Sequence, residues 1–236
     1  MWCLSSPLWE AADMQARYIR NIPALSEAEC ALLGSKRVAV IGCGGLGGHI
    51  IELLARLGVG DIVAVDGDKF DESNLNRQLL SETALLGRGK AQAAFDRVQR
   101  INPDVRVTSV EAFLTGENAM EIIYGCDVVL DALDNVQARR MLSRACEEAG
   151  IPYIYGAISG WVAQCALSMP GDGLIEKLFG NEPEITDKSV LSFTPALCAA
   201  AQCALCVKLL CGREVQAGRI YYFDLLNMEF ETIPML

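Results

Sequence analysis

Two cations and two carboxylates are placed where they could act on a phosphate. Arg77 follows Asn74-Leu-Asn76, and Lys90 follows the turn Gly87-Arg-Gly89. Asp66 and Asp134 each stand just past an apolar run that reads as a strand. Upstream, Gly42-Cys-Gly44-Gly45-Leu-Gly47 satisfies G-x-G-x-x-G. Glycines 42 and 44 let a backbone turn sharply and approach a phosphate, and a helix N-terminus then offers unpaired N–H groups. Alone, such a turn can equally serve close helix–strand packing with no ligand. Asp66 falls roughly 20 residues past the glycines, where such folds place the acid that accepts ribose hydroxyls, and Asp68 follows it. The bland alternative is that both acids cap the following loop. A hydride-transfer site needs no metal, whereas a nucleoside triphosphate brings several negative charges and usually Mg²⁺. Asp134 is suited to hold that ion. Arg77 and Lys90 could stabilise charge developing on a phosphate, or form no more than a solvated surface pair.

These residues need a scaffold, and the order of elements supplies one. Arg37 to Ile41 is a β-branched apolar run followed by a helical pattern over 49–57. A second strand spans 61–66. A helix runs from Lys90 to about Ile101, a third strand covers 105–110, and a short helix covers 117–124. The fourth strand, 127–131, precedes a helix over 134–149 and a fifth strand at 153–155. The alternation predicts an α/β, Rossmann-like, doubly wound and mainly parallel sheet. Strand patterns at 161–169, 219–223 and 228–233 predict an antiparallel continuation in the C-terminal third. Before the glycine turn, residues 1–34 read as a helical arm. It has an amphipathic segment over 11–19 and a second helix opened by the capping box Ser26-Glu-Ala-Glu29. Residues 170–193 are the least periodic stretch and read as a long mobile loop. One domain over 1–236 is expected.

Composition limits the partners. The 236 residues are 52% hydrophobic with a net charge of −10 and no Lys/Arg block, which argues against nucleic acid. No apolar run is expected to be long enough to cross a bilayer, and the first residues lack the pattern of a signal peptide. A cytoplasmic setting with reduced thiols is therefore expected for the ten cysteines. Cys203-Ala-Leu-Cys206 is the only C-x-x-C, lies in an apolar helical stretch over 195–210, and reads as core.

Seven motifs stand in one order: Arg17-Tyr-Ile-Arg20-Asn21, the glycine turn, Asp66-Gly-Asp68, Ser73-Asn74-Leu-Asn76-Arg77-Gln78, Gly87-Arg-Gly-Lys90, Ile101-Asn-Pro103 and Asp131-Ala-Leu-Asp134-Asn135. Together they resemble the ThiF/MoeB/HesA family, bacterial relatives of the ubiquitin-activating enzymes, over roughly residues 14–236. The resemblance implies a homodimer that uses ATP and Mg²⁺ to adenylate the C-terminal glycine of a small β-grasp, ubiquitin-like sulfur carrier ending in Gly-Gly. By motif, Arg77 and Lys90 resemble the phosphate-binding pair, Asp134 the acid that positions Mg²⁺, Asp66 the ribose acid and Asn74 an asparagine beside the nucleotide. Gly42, Gly44, Gly45 and Gly47, with Asp68, complete the expected nucleotide site. Arg20 resembles an arginine that reaches into the partner subunit's site.

Two departures stand out. Where many members carry the first of two C-x-x-C pairs, this chain has Met169-Pro-Gly-Asp-Gly-Leu, so no zinc is expected. The crossover segment Asn181-Glu-Pro-Glu-Ile-Thr-Asp-Lys-Ser189 has no cysteine, and Cys165 and Cys198 fall in a strand and a helix by pattern. Adenylation without a covalent thioester is thus expected. An NAD-dependent oxidoreductase and a non-catalytic member of the same family are the alternatives.

Overall fold

A computed structural model describes residues 16–180 and 189–235. Five parallel strands, β1 (Arg37–Ile41), β2 (Asp61–Val65), β3 (Arg106–Val110), β4 (Val128–Asp131) and β5 (Tyr153–Ser159), begin the sheet. Antiparallel β6 (Val162–Ser168), β7 (Arg219–Asp224) and β8 (Glu229–Pro234) continue it, in the order β3-β2-β1-β4-β5-β6-β7-β8. The order reverses between β1 and β4. That break opens a crevice at the strands' carboxyl ends, where ligands bind in open α/β sheets.

Helices cover both faces. They are α1 (Glu27–Leu33), α2 (Gly45–Leu57), α3 (Lys90–Ile101), α4 (Ala119–Ile123), α5 (Val136–Ala149), α6 (Leu174–Phe179) and α7 (Phe193–Leu210). Strand residues alternate between two cores. Val38 and Val40 join Ile50 and Leu54 of α2, Val98 of α3 and Leu205 of α7 on one face. Ala39 and Ile41 join Ile123 of α4, Leu142 of α5 and Ile175 of α6 on the other. Burial on both faces explains why β1, β2 and β4 read as apolar runs, whereas β3, at the sheet edge, is half exposed.

Several boundaries match the sequence reading and others move. β1 and α3 fall where expected, and Ser26 with Glu29 forms the capping box of α1. Helix α2 begins at Gly45, four residues before the periodic stretch, because backbone turn geometry starts it and apolar periodicity does not. Of the amphipathic segment at 11–19, residues 11–15 lie outside the described residues, and Ala16–Asn21 form a 3-10 helix. The loop over 170–193 contains α6, whose Leu174 and Ile175 fill the second core; residues 181–188 lie outside the described residues. The expectation about apolar runs is also corrected. By length and composition α7 could cross a bilayer, yet here it packs on α2, β5 and β6 with half of its span buried.

Candidate functional site

The carboxyl ends of β1, β2 and β4 open into a cleft of about 590 Å³. Gly42, Gly44, Gly45, Asp66, Asp68, Arg77, Lys90 and Asp134 all line it. Gly42 has φ of 102°, a left-handed conformation that a side chain would strain, and a Cβ there would also press on the Ala132 carbonyl. Gly44 caps α2 with no side-chain hydrogen bond, so the first-turn amides of the helix have no side-chain acceptor among the described residues. Gly47 differs from its neighbours. It is buried outside the cleft lining, and a methyl there would collide with the Gly42 carbonyl, so it lets α2 sit close against the turn.

Asp66 ties the turn together. Its Oδ2 accepts from the Cys43 amide at 2.8 Å and its Oδ1 from the Asp68 amide at 2.8 Å. Burial pushes its carboxyl above the ordinary range, opposed by these amides and by Lys90. Asp66 caps the loop, and each carboxylate oxygen keeps a second lone pair that can accept from a ligand. Lys90, the first residue of α3, is held by its own backbone and side chain. Its amide donates to the Asp68 carbonyl at 2.9 Å, and its Nζ lies 3.2 Å from Asp68 Oδ2. Arg77 follows a short 3-10 turn, Glu72–Asn74, and its Nη1 donates to the Ser73 carbonyl at 2.8 Å and to Asn76 Oδ1 at 2.9 Å. Asn74 is buried and makes its hydrogen bonds within that turn, accepting from the Asp71 amide at 3.3 Å. It does not line the cleft.

Asp134 is exposed on the loop between β4 and α5, beside Asn135, whose Oδ1 caps α5 by accepting from the Ala138 amide at 2.8 Å. Arg20 is exposed in the 3-10 helix and does not line the cleft of its own chain. Among the described residues, no three His, Cys, Asp or Glu side chains gather as metal ligands. The nine cysteines among the described residues are free. Cys203 and Cys206 are buried in α7, and burial pushes the Cys165 thiol up to about 12.

The residue pattern missed a buried network beneath the cleft. Asp131 Oδ2 accepts from Arg139 Nε at 3.1 Å and from the Tyr153 hydroxyl at 2.6 Å, while Oδ1 accepts from the Leu133 amide at 2.8 Å. Arg139 Nη2 donates to the carbonyls of Leu133 and Gly156 at 2.6 and 3.0 Å. Its guanidinium also lies 5.2 Å from the Tyr155 ring centre. These bonds fix the turn that carries Asp134. Gln78, also absent from the expected set, lines the cleft beside Gly44, and its buried Oε1 has no partner among the described residues. One signal was available: Gln78 lies inside a motif already recognised.

Comparison with known proteins identifies the family and the fold. The chain is 37% identical over 229 residues to the SAMP-activating enzyme E1 of Haloferax volcanii, covering 94% of this chain and 84% of that protein. It is 34% identical over 211 residues to the sulfur carrier protein adenylyltransferase of Thermus thermophilus, covering 84% and 78%. A crystal structure of E. coli MccB with MccA-N7isoASN superposes with a TM-score of 0.83 at 19% identity, over 96% of this chain and 73% of that one, a likeness of fold. The ThiF family model matches residues 16–235, nearly the whole described chain. The chain belongs to the ThiF family.

Proposed function

We propose that the protein is an ATP-dependent adenylyltransferase acting on the C-terminal glycine of a small ubiquitin-like sulfur carrier. The observation that carries this reading is the convergence of Arg77, Lys90, Asp66 and Asp134 around one glycine turn in one cleft. The named relatives include an adenylyltransferase for a sulfur carrier protein. In the reaction, a carboxylate oxygen of the terminal glycine attacks the α-phosphorus of ATP. The bond from that phosphorus to the bridging oxygen breaks, and pyrophosphate leaves with its electron pair. An acyl adenylate remains on the carrier. No side-chain nucleophile takes part, so the chain's tasks are alignment and charge stabilisation. Gly42, Gly44 and Gly45 give the phosphates close access to backbone amides, and Asp66 accepts from the ribose. Arg77 and Lys90 meet the charge that builds on the leaving phosphates.

Mg²⁺ fits this residue set. It is commonly held by one or two carboxylates with substrate phosphates and water completing its shell, and Asp134 supplies such a carboxylate at the cleft. When bound, the ion neutralises phosphate charge. An oxidoreductase reading would leave Arg77, Lys90 and Asp134 without a task, and their presence together in the cleft argues against a non-catalytic one. Arg20, outside its own cleft, is assigned to the cleft of a second copy in a homodimer. A monomer active at the full rate in sedimentation analysis would end that assignment. The free thiols of the described cysteines support a cytoplasmic protein, which cell fractionation tests.

The direct test incubates the protein with ATP, Mg²⁺ and candidate carriers ending in Gly-Gly. Intact-mass measurement should find an AMP adduct on the terminal glycine, absent when that glycine is removed. No adduct across a panel of such carriers, with ATP bound, would contradict the proposal.

A further inference from the structure

Phe113 is 65% exposed although it lines the cleft. A single exposed aromatic residue needs no explanation by itself. This one is built in. Its ring lies against the backbone of Gly67, the residue between Asp66 and Asp68, where a Cβ would stand 2.7 Å from ring atoms Cγ and Cδ2. Only glycine at 67 lets the ring rest there. The main chain is held as well. The Asp66 amide donates to the Val110 carbonyl at 3.0 Å, which joins the end of β3 to the acid. Asn118 Nδ2 donates to the Phe113 carbonyl at 2.9 Å, and Asn118 Oδ1 accepts from the Thr115 amide at 2.8 Å.

The position within the cleft gives the exposure a purpose. The glycine turn addresses the phosphates and Asp66 the sugar, so the base of a bound nucleotide continues past Asp66 toward the loop after β3. Ala112, Phe113 and Leu114 line the cleft on that loop. We infer that Phe113, seated on Gly67, is a stacking platform for the nucleotide base and sets the share of affinity that the base contributes. A flat aromatic face favours a base through its π-face, and it tolerates any base with a large ring. This rests on the nucleotide reading proposed above and adds the part of the ligand that the cations do not touch.

The test is calorimetric titration of the full chain with ATP and, separately, with inorganic tripolyphosphate. Wild type, Phe113→Ala and Phe113→Tyr are compared. Phe113→Ala should weaken ATP binding about tenfold while leaving tripolyphosphate binding unchanged, and Phe113→Tyr, which keeps the ring, should restore ATP affinity. Equal ATP affinity in wild type and Phe113→Ala would overturn the platform. An equal loss for both ligands would overturn it too, because that result belongs to a disturbed phosphate site. If wild type bound tripolyphosphate but not ATP, or neither, the nucleotide reading itself would fall and the platform with it.

Discussion

The floor and the rim of the cleft each carry an ion pair, and the two are built differently. On the floor, the side chains of Arg139 and Asp131 are 10% and 0% exposed, and hydroxyl, amide and carbonyl groups surround them. On the rim, Lys90 is 9% exposed, but its partner Asp68 is 57% exposed and offers one contact at 3.2 Å. A buried pair surrounded by hydrogen bonds cannot be opened without leaving an uncompensated charge, so it serves as scaffold. Lys90 makes one contact with a carboxylate that is itself open to water, so leaving Asp68 for a phosphate costs less than Arg139 leaving Asp131 would. Fixed geometry below and exchangeable charge above are what a site for a polyanionic substrate needs.

The largest effect should come from breaking the floor. Arg139→Met leaves Asp131 without its cation, and unfolding should become easier by about 3–5 kcal/mol. Thermal melting should fall by roughly 10 °C, and adding Asp131→Asn should recover part of that loss. A wild-type melting curve for Arg139→Met would erase the contrast between floor and rim. A smaller effect is expected at the rim. Asp68→Asn frees Lys90, and calorimetry should find ATP binding tightened by about two- to fivefold. Weaker binding would mean that Asp68 itself contacts the ligand.

The smallest effect lies at a surface pair outside the cleft, where Arg213 and Glu29 meet at 2.5 Å. The Arg213 guanidinium, helped by the Ser26 amide, holds the Glu29 carboxyl at about 2 against an ordinary 4.5. A depressed carboxylate stabilises the fold above its unfolded value, so this contribution is present above about 4.5 and is lost as pH falls toward 2. Glu29→Gln should lower the melting temperature slightly at neutral pH and leave it less steep across that acid window. An unchanged acid slope would contradict the role of the pair.

Local signals in the sequence were legible in proportion to how local their causes are. The span of β1, the start of α3 at Lys90 and the Ser26–Glu29 box depend on neighbours in sequence, and each stands where its pattern put it. Asp66, Arg77, Lys90 and Asp134 were found from motif and topology together, because a switch in strand order brings them to one cleft. The floor network was not legible. Arg139 meets Asp131 from one helical turn past the motif, and Tyr153 arrives from the next strand. The seat of Phe113 on Gly67 is also a contact between separate loops, invisible to periodicity. Asn74 and Gly47 carried the right motif, yet they are occupied with a turn and with helix packing. Helix α6 was hidden because its two buried residues are too few to set a period.

The central claim is that the rim cation serves phosphate chemistry in this cleft. ATP–pyrophosphate exchange in the presence of a carrier ending in Gly-Gly tests it most directly. Wild type should exchange, and Lys90→Ala should lose about 10²–10³-fold in rate while melting near the wild-type temperature. Exchange by Lys90→Ala at the wild-type rate would contradict the account.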